Sequence, residues 1–327
     1  MKVLYIGGTG QISFDCVHES VRQGHETYVF NRGNNNVGLP AAAHLIRGDV
    51  NDPSAYGELA ARRFDVVCQF RVYTPAELRR DLQVFAGAVG QYVFISSTSA
   101  YLKPLPCTVI TENVPLGNPY SEYSRNKAAC EVELTGQSKL CFTIVRPSHT
   151  SRNRFLTSLS EVDHAPLRML AGKPVVVPGD GTSLWTITHS RDFAPPFVKL
   201  FGNPGARNEA FHLTSDNAYS WNRIYQALGK ALGVEAKLVH IPSETIVRYM
   251  PDRVGGLLGD KMWTKVFDNS KIKSVAGDFR CPTTLEPFMR ILVKAFRERG
   301  GDKTKPDPIQ DALFDRMIAE QRALGAD

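Results

Sequence analysis

The sequence predicts an α/β fold, in which a doubly wound parallel sheet is followed by a smaller mixed α/β domain. Strand-like apolar runs alternate with helical patterns through about residue 150, as expected for parallel strands joined by crossover helices. After residue 147 this alternation loosens, and arginine, serine, proline and glycine become frequent through residue 183. We therefore expect a first domain over 1–165, and mainly a second domain with a C-terminal helix over 166–327.

The individual elements follow from the hydrophobic period and from stop signals. The predicted strands are apolar runs at 2–6, 26–30, 44–46, 65–70, 92–96 and 141–145. Residues 211–214 have the composition of one further strand, which we expect to return to the main sheet. Amphipathic helices are predicted over 220–233 and 308–324, the first of them between Ser220 and the stop signal Gly233. The apolar stripe of 308–324 is expected to pack within the molecule.

The most informative segment near the N-terminus is the glycine loop Gly7-Gly8-Thr9-Gly10. It follows a strand, precedes a helical pattern and leads through that helix to a second strand. This unit places a pyrophosphate at a helix N-terminus, where glycines let backbone N–H groups approach the phosphates. The sequence therefore predicts a dinucleotide site, with Ser13 in the place of a third glycine. The residues expected at the phosphates are Gly7, Gly10, Gln11 and Ile12.

The ends of the next strands bear on which dinucleotide binds. An acidic residue at the end of the second strand would hold the adenosine ribose of NAD, but this chain has Asn31 and Arg32 there. Arg32 could accept the 2′-phosphate of NADP, whereas Asn31 could hydrogen-bond a free ribose hydroxyl. Both NAD and NADP stay open, with a slight preference for NADP. The residues expected around the rest of the cofactor are Asp49, Val50 and Phe70.

Tyr123 and Lys127 form a candidate catalytic pair, because a spacing of four residues places both side chains on one helix face. An ammonium group favours a neighbouring phenolate, and so we expect Lys127 to lower the pKa of Tyr123 from about 10 toward neutrality. Such a phenol can act as a general base toward a substrate hydroxyl. Ser97 follows strand 92–96 at the sheet edge where parallel sheets bind ligands, and it could hydrogen-bond the same substrate oxygen.

Composition argues against several other classes. The formal net charge of +6 suits an anionic ligand, but no long basic block or low-complexity tract indicates nucleic acid as a partner. The six cysteines and eight histidines show no metal-type spacing, and no metal site is expected. No apolar run reaches membrane-spanning length and no leader precedes the first strand, so we expect a cytoplasmic protein without a membrane partner.

With the glycine loop, Ser97, Tyr123 and Lys127 in this order, the chain resembles the extended short-chain dehydrogenase/reductases. More narrowly, it resembles their NAD-dependent epimerase/dehydratase family, over most of its length from Met1 to about Phe288. The resemblance implies a Rossmann-type sheet, in which Ser97 polarises the substrate, Tyr123 is the acid/base and Lys127 binds the nicotinamide ribose. It also implies a tightly bound, recycled NAD or NADP, a small sugar or nucleoside-type substrate, and a homodimer as one assembly to test.

Two segments after residue 145 match the family as well. The Arg-Pro segment 146–149 corresponds to one that borders the nicotinamide in the family, which places Pro147 and His149 at the cofactor. The segment from Gly179 to Asp192 corresponds to the hairpin on the substrate side. In this family the cofactor takes a hydride from a carbon that bears a hydroxyl and later returns it, while the protein handles the proton.

One departure from the family pattern concerns dehydration. Nucleotide-sugar 4,6-dehydratases of the family carry an Asp-Glu pair where this chain has Thr98 and Ser99, neither of which is a useful acid at neutral pH. A dehydratase of that type is therefore disfavoured. Elimination would require proton chemistry from another group, and the candidates are Tyr101, Glu122 and His149.

A second departure concerns the substrate. Trp185 stands where UDP-galactose 4-epimerases have an arginine that grips the nucleotide diphosphate. Because an indole offers stacking and one N–H donor, Trp185 suits a nucleoside, a nucleoside monophosphate or a sugar better. We expect Thr98 and Ser99 beside it in the substrate site. The arginines that could bind a phosphate from elsewhere are Arg71, Arg152, Arg154 and Arg248.

Three functions stay open at this point. The leading one is an NAD(P)-dependent epimerase/dehydratase that transiently oxidises a sugar hydroxyl of a nucleoside, nucleotide or nucleotide sugar. The second is an NADPH-dependent carbonyl reductase, for which Arg32 is the best argument. The third is a non-catalytic RNA-binding role, because chloroplast stem-loop RNA-binding proteins resemble this chain in the glycine loop and in the Asn-Arg-Gly turn after the second strand. Retention of Ser97, Tyr123 and Lys127 argues against that role, and nucleic acid is not the expected partner.

Overall fold

The computed structural model describes residues 1–137, 139–159 and 163–325. The strands in chain order are β1 Lys2–Ile6, β2 Glu26–Asn31, β3 His44–Arg47, β4 Phe64–Gln69, β5 Val89–Ile95, β6 Val109–Ile110, β7 Phe142–Pro147, β8 His149–Ser151, β9 Val175–Pro178, β10 Leu184–His189, β11 Glu209–Leu213, β12 Ala218–Ser220, β13 Leu238–Ile241 and β14 Val266–Phe267.

The α-helices in chain order are α1 Ser13–Arg22, α2 Pro53–Gly57, α3 Pro75–Phe85, α4 Glu122–Thr135, α5 His164–Leu170, α6 Ser190–Val198, α7 Trp221–Leu232, α8 Ser243–Tyr249, α9 Val254–Gly256, α10 Ser270–Ala276, α11 Leu285–Glu298 and α12 Pro308–Ala323. Short 3₁₀ turns occur at Ala60–Arg62, Thr98–Ala100, Pro204–Ala206, Pro251–Arg253 and Gly301–Lys303, and one π-helical turn occurs at Leu257–Lys261.

Seven strands form a parallel central sheet in the order β11-β7-β5-β4-β1-β2-β3, which confirms the predicted doubly wound α/β fold. The strand expected near 211–214 is β11, and it pairs with β7 at the edge of this sheet. Both sheet faces are covered by apolar side chains. Along β1, for example, Val3 and Tyr5 pack on one face while Leu4 and Ile6 pack on the other.

The second half of the chain contributes to both domains. Phe193 and Phe197 of α6 and Ile272 of α10 belong to the core that covers one face of the central sheet. A separate core is built around Trp185, Trp221 and the apolar face of α11. The chain therefore returns to the first domain after residue 165, and the cleft between the two cores is where cavities form.

Two predicted helices in the second half are present with their expected caps. Ser220 accepts a hydrogen bond from the N–H of Arg223 at the start of α7, and Gly233 ends this helix at a φ of 85°. Helix α12 buries Phe314 together with neighbouring apolar side chains against β9 and α8. Arg168, which is fully buried, also pairs with Asp315 of α12 at 2.7 Å. The apolar stripe of α12 thus packs within the molecule.

A buried ion pair joins helix α4 to strand β7. Arg146 Nη2 lies 2.6 Å from Glu131 Oε2, and the side chains are 7% and 3% exposed. Ser96 donates a hydrogen bond to the same carboxylate, and Arg146 donates to the hydroxyl of Tyr101 at 3.1 Å. Because Ser96 directly precedes Ser97, this network fixes the end of β5 against α4, which carries Tyr123 and Lys127.

Two exclusions hold within the described residues. None of the helices there is long and apolar enough to cross a bilayer. No cluster of histidine, cysteine, aspartate and glutamate there has the composition of a metal site.

We predict that Glu131→Gln destabilises the protein by about 3 to 5 kcal/mol, because it leaves the buried charge of Arg146 without its partner. Glu133→Gln is the matched control on the same helix, since Glu133 pairs with Arg79 at the surface and such pairs contribute about 0 to 1 kcal/mol. Urea unfolding of both variants checks this, and equal losses of stability would contradict it.

Candidate active site

The glycine loop between β1 and α1 has the geometry of a phosphate cradle. Gly7 has a φ of 87°, and a Cβ there would lie 2.7 Å from Cγ of Arg71. Ser13 closes the loop, because its hydroxyl donates to the carbonyl of Gly7 at 2.8 Å and accepts from the N–H of Gly10 at 2.9 Å. No side chain caps the start of α1. A helix N-terminus of this kind offers its backbone N–H groups to an anion.

A cavity of about 520 Å³ extends from this loop across the carboxyl ends of the parallel strands. Nearly all residues expected at the cofactor line it, namely Gly7, Gly10, Gln11, Ile12, Asn31, Arg32, Asp49, Val50, Phe70 and Pro147. Ser97, Tyr123 and Lys127 line its other end. The length of the cavity and the glycine cradle fit an extended dinucleotide with its nicotinamide end beside Tyr123.

The end of β2 presents amide and guanidinium groups to this cavity. Asn31 Oδ1 accepts the N–H of Gly33 at 2.7 Å, and its Nδ2 donates to Asn36 at 2.8 Å. Arg32 lines the cavity together with Asn34 and Asn35, which the sequence pattern did not single out. Both polar atoms of the Asn31 side chain are thus used within the turn that follows β2. Arg32 is the cation that follows β2 in the wall of this cavity.

Lys127 is held between the end of strand β5 and the loop that follows strand β4. It is 2% exposed, and its Nζ donates to the carbonyl of Val72 at 2.6 Å and to that of Ile95 at 2.7 Å. Its Nζ lies 5.7 Å from the centre of the Tyr123 ring. Burial lowers the pKa of Lys127 to about 8.

The expected lowering of the Tyr123 pKa by Lys127 is wrong for the free protein. Burial of the phenol raises the pKa of Tyr123 to about 12, although 44% of the whole residue is exposed, and a hydrogen bond with Ser97 opposes this rise. Lys127 is not among the groups that oppose this rise, and its ammonium group donates to two backbone carbonyls. Tyr123 is therefore a protonated phenol at neutral pH.

Ser97 is positioned by its own short turn. Its hydroxyl caps the 3₁₀ turn that follows β5 by accepting the N–H of Ser99 at 3.1 Å. The hydroxyls of Ser97 and Ser99 are 2.9 Å apart, and Ser124 donates to Ser99 at 2.9 Å. This chain of hydroxyls links the turn to helix α4, and so Ser97 and Tyr123 keep a fixed relation.

A second cavity, of about 400 Å³, adjoins the first and shares Ser97, Tyr123, Pro147 and Ser148 with it. Thr98, Ser99 and Trp185 line it, as expected of substrate-side residues. Three further lining residues, Asp260, Lys261 and Lys265, were missed from the sequence. They lie in and after an irregular helical turn that carries no recognisable motif, and only the spatial neighbourhood of Trp185 reveals them.

Trp185 lines the smaller cavity, but most of its indole is engaged within the protein. Trp185 is 1% exposed, and its N–H donates to Nδ1 of His149 at 3.0 Å. One face of the indole stacks on Trp221, with ring centres 5.2 Å apart, and Nζ of Lys265 lies 4.8 Å from the ring centre. Its donor and its stacking faces are thus used within the protein, because the indole completes the second core.

His149 was expected at the cofactor and Arg71 at the substrate, and the structure places each of them in the other cavity. His149 lines the second cavity and not the dinucleotide cavity. Burial lowers its pKa to about 3, so it is a neutral imidazole that accepts the N–H of Trp185. Arg71, expected on the substrate side, lines the dinucleotide cavity, because its side chain passes directly over Gly7.

The remaining candidates for phosphate binding or proton transfer lie elsewhere. Among the described lining residues of the two cavities, Arg152, Arg154, Arg248 and Glu122 do not occur. Arg152 lies over the ring of Phe14, at 3.8 Å from its centre. Tyr101 is fully buried, and its hydroxyl is engaged by Arg146 and His212. Arg152 and Tyr101 thus have contacts within the protein instead.

Comparison with known proteins gives relatives of several activities. The 2'-dehydrokanamycin reductase of Streptomyces kanamyceticus is 27% identical over an alignment of 332 positions. The alignment covers 99% of this chain and 93% of that protein. The chloroplast stem-loop binding protein of 41 kDa b of Arabidopsis thaliana is 26% identical over 76% of this chain and 66% of its own length. The structure of UDP-glucose 4-epimerase from Bifidobacterium longum, solved with NAD+ and UDP, superposes with a TM-score of 0.74 at 18% identity, covering 92% of this chain and all of that one.

The family model of the NAD dependent epimerase/dehydratase family matches residues 76–213, which include the end of β5, Tyr123, Lys127 and β11. This match confirms the resemblance that the sequence motifs gave, and it confirms the expected class of NAD(P)-dependent epimerase/dehydratase-type enzymes. The shared sheet architecture agrees with it. Over residues 76–213 the chain is thus similar to the NAD-dependent epimerase/dehydratase family, as its sequence motifs indicated.

Proposed function

We propose that this protein interconverts a secondary alcohol and a ketone of a sugar-like substrate, with a nicotinamide dinucleotide in the larger cavity. The observation that carries the proposal is that Ser97 and Tyr123 lie on the wall shared by the two cavities. A hydroxyl-bearing carbon in the smaller cavity would therefore face both the phenol and the nicotinamide end of the larger one. The match of residues 76–213 to an NAD-dependent family supports this cofactor.

The chain's own residues fit the dinucleotide at three points. The glycine loop and the uncapped start of α1 would hold the pyrophosphate, Arg32 the adenosine ribose, and Lys127 the nicotinamide ribose. Arg71 lies over Gly7 and adds a cation beside the pyrophosphate. When bound, the cofactor supplies hydride acceptance from the carbinol carbon, or hydride donation to the ketone carbon.

The proton is handled by Tyr123 with Ser97. In the reductive direction the protonated phenol donates its proton to the oxygen that becomes the hydroxyl, while Ser97 donates a hydrogen bond to that oxygen. In the oxidative direction Tyr123 must first lose its proton, and the Lys127 ammonium group, 5.7 Å from the centre of the Tyr123 ring, can stabilise the resulting phenolate. The positive charge of Lys127 thus matters most once the phenol ionises.

Transient oxidation followed by hydride return, as in an epimerase, is one form of this chemistry. Thr98 and Ser99 are buried and lie where an acidic pair would stand in the dehydratases that the chain resembles. Asp260 is the one carboxylate among the described lining residues of the smaller cavity, and it pairs with Lys265. The site is therefore better equipped for epimerisation than for elimination.

Net reduction by NADPH is the second candidate, and two observations favour it. Tyr123 is a protonated phenol, which is the form needed to protonate a ketone oxygen. Arg32, rather than a carboxylate, follows β2 beside the adenosine site, and the chain is similar over nearly its full length to a reductase.

Incubation with NADPH separates the candidates, because a reductase oxidises NADPH in proportion to the product formed, while an epimerase causes no net change in the amount of NADPH. UDP-glucose and 2'-dehydrokanamycin, named for proteins similar to this chain, are the first two substrates to compare.

We predict that Tyr123→Phe lowers kcat by about 10² to 10⁴, because it removes the proton donor without changing the shape of the ring. Dinucleotide affinity should stay within about threefold. Tyr120→Phe is the control, since Tyr120 is similarly exposed but lines neither cavity. Turnover and cofactor titration measure both quantities, and an active Tyr123→Phe enzyme would contradict the assigned role.

We predict that Gly7→Ala weakens dinucleotide binding by at least about tenfold. An alanine at a φ of 87° is strained by about 1 to 2 kcal/mol, and its Cβ, 2.7 Å from Cγ of Arg71, would force that side chain to move. Gly24→Ala is a matched control, because Gly24 has a φ of 80° but nothing lies within 4 Å of a Cβ there. Cofactor titration by calorimetry should separate the two variants, and equal affinities would refute the cradle.

We predict that Arg32→Ala weakens NADP(H) binding by roughly tenfold or more, since a charge-assisted hydrogen bond contributes about 1.5 to 3 kcal/mol. NAD(H) binding should change little, because it lacks the 2′-phosphate. Arg62→Ala, at an exposed position outside the cavity, serves as control. If NAD(H) binds the native protein more tightly than NADP(H), the preference for NADP is wrong.

A further inference from the structure

One aromatic side chain in the wall of the dinucleotide cavity has two cations over its ring. Tyr73 lines this cavity and is 38% exposed. Nζ of Lys127 lies 5.0 Å from the centre of its ring, and the guanidinium carbon of Arg71 lies 5.5 Å from that centre. The ring of Tyr123 is a further neighbour, with the two ring centres 6.4 Å apart. Tyr73 thus adjoins three of the groups on which the proposed reaction depends.

The ammonium group of Lys127 is surrounded by aromatic rings. Besides Tyr73, the ring of Phe94 has its centre 4.9 Å from Nζ of Lys127, and that of Tyr123 has its centre 5.7 Å from the same atom. A ring face attracts a cation that lies within about 6 Å of its centre, and the attraction is stronger where water is excluded. Because Lys127 is only 2% exposed, the three rings stabilise a charge that water hardly reaches.

The backbone of Tyr73 is fixed by the start of helix α3. The N–H groups of Tyr73 and Thr74 both donate to the carboxylate of Glu77, at 2.7 Å and 2.9 Å. Thr74 in turn caps α3 by accepting the N–H of Glu77 at 3.3 Å. The carbonyl of Val72, directly before Tyr73, accepts the ammonium group of Lys127 at 2.6 Å. The ring of Tyr73 is therefore held in a defined place beside helix α4, as a positioning residue requires.

We propose that Tyr73 is a positioning residue for the dinucleotide, whose ring holds Arg71 over Gly7 at the pyrophosphate end and Lys127 at the nicotinamide ribose. The inference rests on the proposed function, because the two cations are assigned to the dinucleotide there. One ring thus sets the places of two groups that are spaced along a single ligand. Loss of the ring frees both long side chains, and the cost of ordering them then falls on the binding of the dinucleotide.

The test measures the affinity of three adenine ligands that reach successively further along the cavity. AMP ends near Arg32, ADP adds the pyrophosphate near Arg71, and ADP-ribose adds the ribose near Lys127. Calorimetry compares the native protein with Tyr73→Leu, which removes the ring and keeps an apolar side chain. We expect the variant to bind AMP with the native affinity, ADP about threefold more weakly and ADP-ribose about tenfold more weakly, because the two cations are lost from their places in turn.

Two further variants separate the ring from other effects. Tyr73→Phe keeps the ring and removes only the hydroxyl, whose hydrogen bond to the carbonyl of Phe70 is long at 3.4 Å. It should bind all three ligands within about twofold of the native affinity. Tyr120→Leu is the control for loss of a tyrosine, since Tyr120 is 39% exposed and is not among the described lining residues of either cavity. An unchanged AMP affinity of Tyr73→Leu shows that its fold is intact.

Three results would each overturn the proposal. They are ADP-ribose binding that Tyr73→Leu leaves unchanged, an equal loss of affinity for all three ligands in that variant, and a loss in Tyr73→Phe as large as that in Tyr73→Leu. The proposed function fails in a different way, when the native protein binds no dinucleotide or Tyr123→Phe retains turnover. Neither of those observations involves a change at Tyr73, and the two failures are therefore distinguishable.

Discussion

The two hydrogen bonds of Lys127 are the interaction on which the rest of the site depends. Its Nζ joins the carbonyl of Ile95, at the end of β5, to that of Val72, in the loop after β4. Because Lys127 belongs to α4, its side chain joins this helix to the end of β5 and to the loop after β4. The Glu131–Arg146 pair secures the other side of α4 against β7. The wall between the two cavities exists because these contacts hold together.

Much of the fold could be predicted from local sequence, because each β-strand–helix unit has its own signal. The hydrophobic period gave the sheet, and the glycine loop gave the phosphate cradle at Gly7. The cofactor-side residues followed, since parallel strands bring their ends to one edge. Among the residues after 165, the return of strand β11 to the main sheet was predicted, whereas the packing of α6 and α10 on that sheet was not. No periodic pattern indicates which core a helix joins across a long sequence separation.

The errors at the site have a common physical origin. Spacing along a helix predicted that Lys127 would ionise Tyr123, but spacing does not show how deeply a phenol is buried or which carbonyls engage an ammonium group. Alignment by position predicted that Trp185 would face the substrate; it does line the smaller cavity, but most of its indole packs in the core against Trp221. In both cases burial outweighs the local pairing that a sequence displays. Arg71 was predicted on the substrate side, because the sequence does not show that its side chain passes over Gly7 in the dinucleotide cavity.

The placement of charge separates the roles of the two cavities. The larger one has cations at intervals along its length, at Arg32, Arg71 and Lys127, which matches a ligand whose phosphates and riboses are spread over many ångströms. The smaller one holds Lys265, whose ammonium group is paired with Asp260 beside the Trp185 ring. The indole of Trp185 lies under the Lys265 ammonium group, and an aromatic face stabilises a cation held over it.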